Sequence, residues 1–196
     1  MLVYSMSGQY VDPAVSEQKF QNELDRFIQS KSFNRKRGIF LLDAEYPNIF
    51  IGFFAQKLIP ASHVFTVKIN FDNYDFEPPS IVFVNPFTFE PIQHLAQVGI
   101  PFLRKVPGNP QGQMLLQQNE NRPPFLCIPG VREYHHHPAH TGDSWFLHRQ
   151  VSSEGSLGYL VEKLYQYGIS PLAGYQLPPI NLNAIAIRLD LNLVPE

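Results

Sequence analysis

The chain has 196 residues, 15 of them basic and 17 acidic, for a formal charge of −2. Apolar residues make up 44% and aromatics 13%, enough for a buried core, which excludes wholesale disorder. The absence of excess positive charge argues against a phosphate-backbone binder, and a charged fraction of only 16%, against a usual ~25%, suits a protein that keeps partners. Asp12 is placed to cap a first helix and Pro13 suits its first position. Phe20, Leu24, Phe27 and Ile28 then form one apolar stripe at helical spacing. The basic stretch Ser30 to Gly38 ends that helix, with Arg35-Lys36-Arg37 read as a solvated turn.

Strands follow. Ile39–Leu42 and Ile49–Ala55 are short apolar runs separated by a turn at Pro47-Asn48. His63, Phe65, Val67, Ile69 and Phe71 alternate with polar or smaller neighbours, the period of a half-buried strand, with His63 on the inward parity. Asn73 to Pro79 is a turn with aromatic anchors whose proline pair takes the chain out of the sheet, and Ser80–Val84 is a fourth strand. From 90 to 124 the pattern fades into a long irregular insertion, amide-rich from Gln117 to Asn121. Ser156 caps a second helix carrying Leu157, Leu160, Val161 and Leu164, closed by Gly168 at C′. Trp145, Phe146 and Leu147 are assigned to the core. After the linker Leu177-Pro178-Pro179, Ile185, Ile187, Leu189, Leu191 and Leu193 share one parity, an amphipathic strand over 181–194. Its expected place is the domain's own sheet, with β-augmentation of a partner as the alternative.

A single cysteine, Cys127, excludes an intrachain disulfide. Met1 to Ser5 lacks the pattern of a secretory leader, and no run approaches ~18 apolar residues, so a cytoplasmic chain with no membrane partner is expected.

Five of the seven histidines fall between His135 and His148. Thiolate, imidazole and carboxylate together are a zinc ligand set, and imidazole with carboxylate also suits iron. If 133–137 is extended, Glu133, His135 and His137 share a face, ranking above His136, and Cys127 and His140 close the shell. If it is a loop that parity fails, and His140 or His148 substitutes. The competing chemistry makes Cys127 a nucleophile, with Asn119 as oxyanion donor and a histidine or Asp143 as base. The two exclude each other, because a sulfur closed in a four-ligand site cannot also carry an acyl group.

The order helix, four-strand meander, irregular crossing, cysteine, tryptophan, helix resembles the ubiquitin-conjugating enzymes over roughly 14–169. The run Phe65–Phe71 through Tyr74-Asp75-Phe76-Glu77-Pro78-Pro79 to Phe83 resembles that family's third strand, Tyr-Pro-Phe-x-Pro-Pro turn and fourth strand, with Asp75 where the family prefers proline. The resemblance implies an α+β fold, a domain over 1–170 with a C-terminal β extension over 171–196, and Cys127 as thioester acceptor. It departs at Asn119, which holds the offset of the family's His-Pro-Asn asparagine but follows Gln117-Gln118. It departs again in the 18 residues from Cys127 to Trp145. The segment Cys127 to His140 is similar to a bacterial predicted metal-binding family named for its Cys, Glu, His and His. Such proteins are encoded beside ubiquitin-like proteins and their activating enzymes, which are therefore the implied partners. Three functions are expected: a conjugating component charged on Cys127, a non-catalytic adaptor with a structural zinc, or a small metalloenzyme with an open coordination position.

Overall fold

The structure, a computed structural model, describes residues 10–172 apart from 121, 141 and 152. The expected linker and strand over 177–194 lie outside the described residues. Helix α1 (Pro13–Gln29) starts as its sequence dictates, with the Asp12 carboxylate accepting from Ala14 N–H at 2.9 Å. Its buried face is Ser16, Phe20, Glu23, Leu24 and Phe27, whereas Ile28, expected in the stripe, is 46% exposed. A short α2 (Lys31–Lys36) occupies the stretch expected to be a turn. Arg37 is not a solvated charge, because it pairs with Glu162 at 2.7 Å and lies over the Tyr165 ring.

Strands β1 (Ile39–Glu45), β2 (Asn48–Ala55), β3 (Ser62–Asn70) and β4 (Ser80–Val84) form one antiparallel sheet in chain order. The antiparallel sheet is therefore as the periodicity predicts, and with the helices it makes the class α+β. Ile49, Ile51, Phe53, Phe65, Val67, Ile69, Ile81 and Phe83 are buried along it, on the order of 1.5–3 kcal/mol of apolar transfer for each large side chain. A register shift after Phe53 sets Phe54 opposite His63, which moves His63 to an exposed position. There its Nε2 meets Thr66 Oγ1 at 2.9 Å, and the inward assignment is corrected.

The stretch 90–124 is more ordered than its composition suggests. It holds a hairpin of β5 (Leu103–Val106) and β6 (Asn109–Met114), then β7 (Leu116–Gln117), which pairs with β8 (Phe125–Leu126). Three short helices follow: α3 (Arg132–His135), α4 (Trp145–Val151) and α5 (Leu157–Leu164). Ser156 Oγ accepts from Tyr159 N–H at 3.2 Å, as a cap should. The first N–H of α5, from Leu157, is taken by buried Glu23 of α1 at 2.8 Å. Gly168 does not terminate the helix, which runs on through a wider turn over Tyr165–Ile169. A Cβ at Gly168 would lie 2.7 Å from the Phe102 ring, so close approach explains the residue there. No helix among the described residues is long and apolar enough to cross a membrane.

Candidate functional site

The site is built from the short β7–β8 ladder. Leu116 faces Leu126 and Gln117 faces Phe125, and one step on Cys127 N–H donates to Leu115 O at 2.7 Å. Phe125, Leu126 and Ile128 are buried, while Cys127 is half-buried against the core edge. The strand thus fixes the backbone firmly and leaves its sulfur at the surface of the core. Three residues later the chain closes on the loop before α5. A Cβ at Gly130 would sit 2.4 Å from Gly155 N, and Gly130 has φ +85°, so side chains are refused on both steric and conformational grounds.

The histidine-rich segment is helical, not extended. Arg132 begins α3 and clamps it to the β3–β4 turn, donating to Pro78 O at 3.1 Å and Asp72 O at 2.6 Å and pairing with Glu77 at 3.2 Å. On a helical turn residues two apart do not share a face, so the parity grouping of Glu133, His135 and His137 fails. Glu133 accepts from the Ser80 hydroxyl with its carboxyl end buried, and burial pushes its pKa up. His135 uses both ring nitrogens on backbone: Nδ1–H donates to Asp143 O at 2.9 Å and Nε2 accepts from Gly130 N–H at 3.0 Å. Burial holds that ring neutral by lowering its pKa, and no lone pair remains for a metal. His136 is exposed. His137 Nδ1 accepts from Ala139 N–H at 3.2 Å.

The structure does bring Cys127 and His140 together, with Sγ 3.5 Å from Nε2. Burial pushes the thiol pKa up, opposed by the positive charge of Arg104 on β5, so the resting sulfur is a thiol. His140 is held from behind by Tyr134, whose ring stacks on it at 3.9 Å and 24°. The Tyr134 hydroxyl donates to Asp143 Oδ2, and Asp143 Oδ1 meets His148 Nε2 at 2.5 Å. His148 Nδ1 bonds Glu154 in turn. These bonds from Tyr134 and His148 pull the Asp143 pKa down, and the Asp143 bond lifts that of His148. Asp143 therefore braces the platform under His140 instead of serving Cys127 directly.

Asn119 is in the exposed β7–β8 connection. Cys127 lies opposite Leu115, at one end of the β7–β8 ladder, whereas Asn119 lies past the other end, beyond Gln117. The amide that organises this turn is Gln118, donating to Gln93 O at 2.6 Å and accepting from Leu95 N–H at 3.0 Å. Trp145 is buried as expected, but Phe146 and Leu147 are 44% and 65% exposed. The Trp145 indole donates to Asp75 O at 3.0 Å, in the connection between β3 and β4.

Sequence reasoning missed Tyr134 and Glu154. Tyr134 had a signal, the one large ring inside the polar run, but only a helical turn lifts it onto His140. The expected donor set was Cys127, Glu133, His135, His137 and His140. Among the described residues no three histidine, cysteine or acidic side chains are gathered to hold a metal ion. The residues present do not fit the expected closed zinc shell, because His135 is spent on backbone and Glu133 is turned toward β4.

Fold and site together define an α+β domain: a four-strand antiparallel meander packed by helices, carrying a half-buried cysteine–histidine pair on its crossing segment. The chain belongs to the Y4jH family (Y4jH-like), whose model matches residues 11–172. It is 39% identical over 185 residues to the "Uncharacterized protein y4jH" of Sinorhizobium fredii (strain NBRC 101917 / NGR234), covering 86% of this chain and 89% of that protein.

Proposed function

We propose that the chain is a ubiquitin-conjugating-enzyme-like component of a bacterial ubiquitin-like modification pathway, carrying the modifier as a thioester on Cys127. The observation that carries this reading is the half-buried sulfur 3.5 Å from the His140 imidazole. Support comes also from the element order around it and from the Trp145 contact to the Asn73–Pro79 turn. Cys127 Sγ attacks the carbonyl carbon of the modifier's C-terminal thioester on its activating enzyme. The new S–C bond forms as the old one breaks, and the Cys127 proton passes through His140 to the departing thiolate. Arg104 supplies positive charge near the sulfur in place of the distant Asn119.

The test mixes the chain with ATP, a bacterial activating enzyme and the ubiquitin-like protein that this enzyme charges. The expected product is an adduct of one modifier per chain, cleaved by thiols, absent in Cys127→Ala and slowed about tenfold or more in His140→Ala. No adduct, when the activating enzyme demonstrably charges its own cysteine, overturns the proposal. Stoichiometric zinc in the purified chain, lost in Cys127→Ala, overturns it in favour of an adaptor with a structural metal.

A further inference from the structure

The two edges of the sheet are finished differently. Beyond β4 the crossing chain closes the edge: Ile92 N–H donates to Phe83 O at 2.8 Å, and Val84 bridges Pro91. At the other edge, no strand among the described residues pairs with the outer side of β1. That side borders a cleft of about 220 Å³ lined by Phe27, Ile28, Lys31, Arg35, Phe40 and Leu41. Ile28 is 46% exposed, Leu41 37% and Leu42 41%, a run of apolar surface beside a row of backbone donors and acceptors.

Where the described chain ends bears on this edge. Leu172 lines an adjacent cleft with Lys36 and Arg37, the residues that lead into β1. Residues 173–180 reach up to about 27 Å at ~3.4 Å per residue, further than the roughly 23 Å length of a seven-residue strand. The sequence beyond them alternates Ile185, Ile187, Leu189, Leu191 and Leu193 with smaller or polar residues.

We propose that residues 181–194 dock within the same chain along the outer side of β1, as a fifth strand whose apolar parity covers this cleft. Reach and period each favour that occupant over an unrelated partner.

Amide hydrogen exchange on the full-length chain, against the Ile187→Asp/Leu189→Asp variant, tests it. The β1 amides not bound by β2 should exchange about tenfold or more faster in the variant, while β2 and β3 amides keep their rates. Leu41→Asp, made from the cleft side, should give the same loss. Unchanged β1 exchange in both variants overturns the proposal. So does protection that rises with protein concentration alongside a dimer in sedimentation, which assigns the edge to a second copy.

Discussion

In the meander, the Phe53 and Phe65 rings stack 4.6 Å apart, and Phe65 meets Phe83 edge-on at 5.8 Å. All three are at most 3% exposed, and burial of alternate residues suffices to place them. Between Cys127 and Glu154 the chain is placed otherwise, by individual bonds: Arg132 to the β3–β4 turn, His135 to two backbone groups, Tyr134 to Asp143, and His148 between two carboxylates. The first region is redundant, because each ring has several neighbours. The second is a series of polar links, each made between particular atoms. The contrast teaches that the scaffold resists the loss of a contact by degrees, whereas the site is lost link by link.

The largest effect should come from the scaffold. Phe83→Ala removes a fully buried ring and should cost about 3–5 kcal/mol in urea unfolding. A cost under about 1 kcal/mol would mean that the sheet is not the core of stability. Next is Glu23, which joins α1 to the start of α5. Glu23→Ala leaves Leu157 N–H without its acceptor and should cost about 1–3 kcal/mol, while Glu23→Gln keeps an acceptor oxygen and recovers most of it.

Smaller still is the His148 link, and its effect depends on pH. The folded-state pKa of His148 is raised above the ordinary 6.5, so its stabilisation is complete below that value and is lost as pH rises through the raised pKa. Asp143 is lowered from 3.8, so its share is present above that value and is lost as pH falls through the lowered pKa. The link is therefore strongest between about pH 4 and 6.5. With both groups partly exposed, His148→Ala should cost about 1 kcal/mol or less at pH 5.5 and close to nothing at pH 9. Equal thermal shifts at the two pH values would break the assignment. Smallest is Asn119→Ala, which should leave Cys127 alkylation within about twofold of the parent rate, since the two lie at opposite ends of the β7–β8 ladder. A tenfold loss would restore Asn119 to the site.

The same division governs what the residues announce in advance. Period 2 through Phe65, Val67 and Ile69, and period 3.6 through Phe20, Leu24 and Phe27, are written in the order of the side chains. The meander and both main helices were therefore legible. The helical turn at Arg132–His135 was not, since four residues carry no period and its anchors, Asp72, Pro78 and Pro79, lie more than fifty positions away. Once that turn replaces an extended segment, Glu133 and His135 leave the site and Tyr134 enters it. Cys127 and His140 are named from residue type and from the resemblance of the segment that holds them. Their pairing depends on where α3 and the turn at Pro138–His140 carry the chain, a tertiary outcome. The same holds for Glu23, an acidic residue in mid-helix whose partner is 134 positions on.

The claim at the centre is that Cys127 and His140 act as one reactive pair. The most direct measurement is the rate of Cys127 alkylation by iodoacetamide from about pH 6 to pH 10 in the parent chain and in His140→Ala. A proton-accepting His140 makes the parent about tenfold faster near neutrality, with the two curves converging once the thiol ionises by itself. Superimposable curves over the whole range would contradict it.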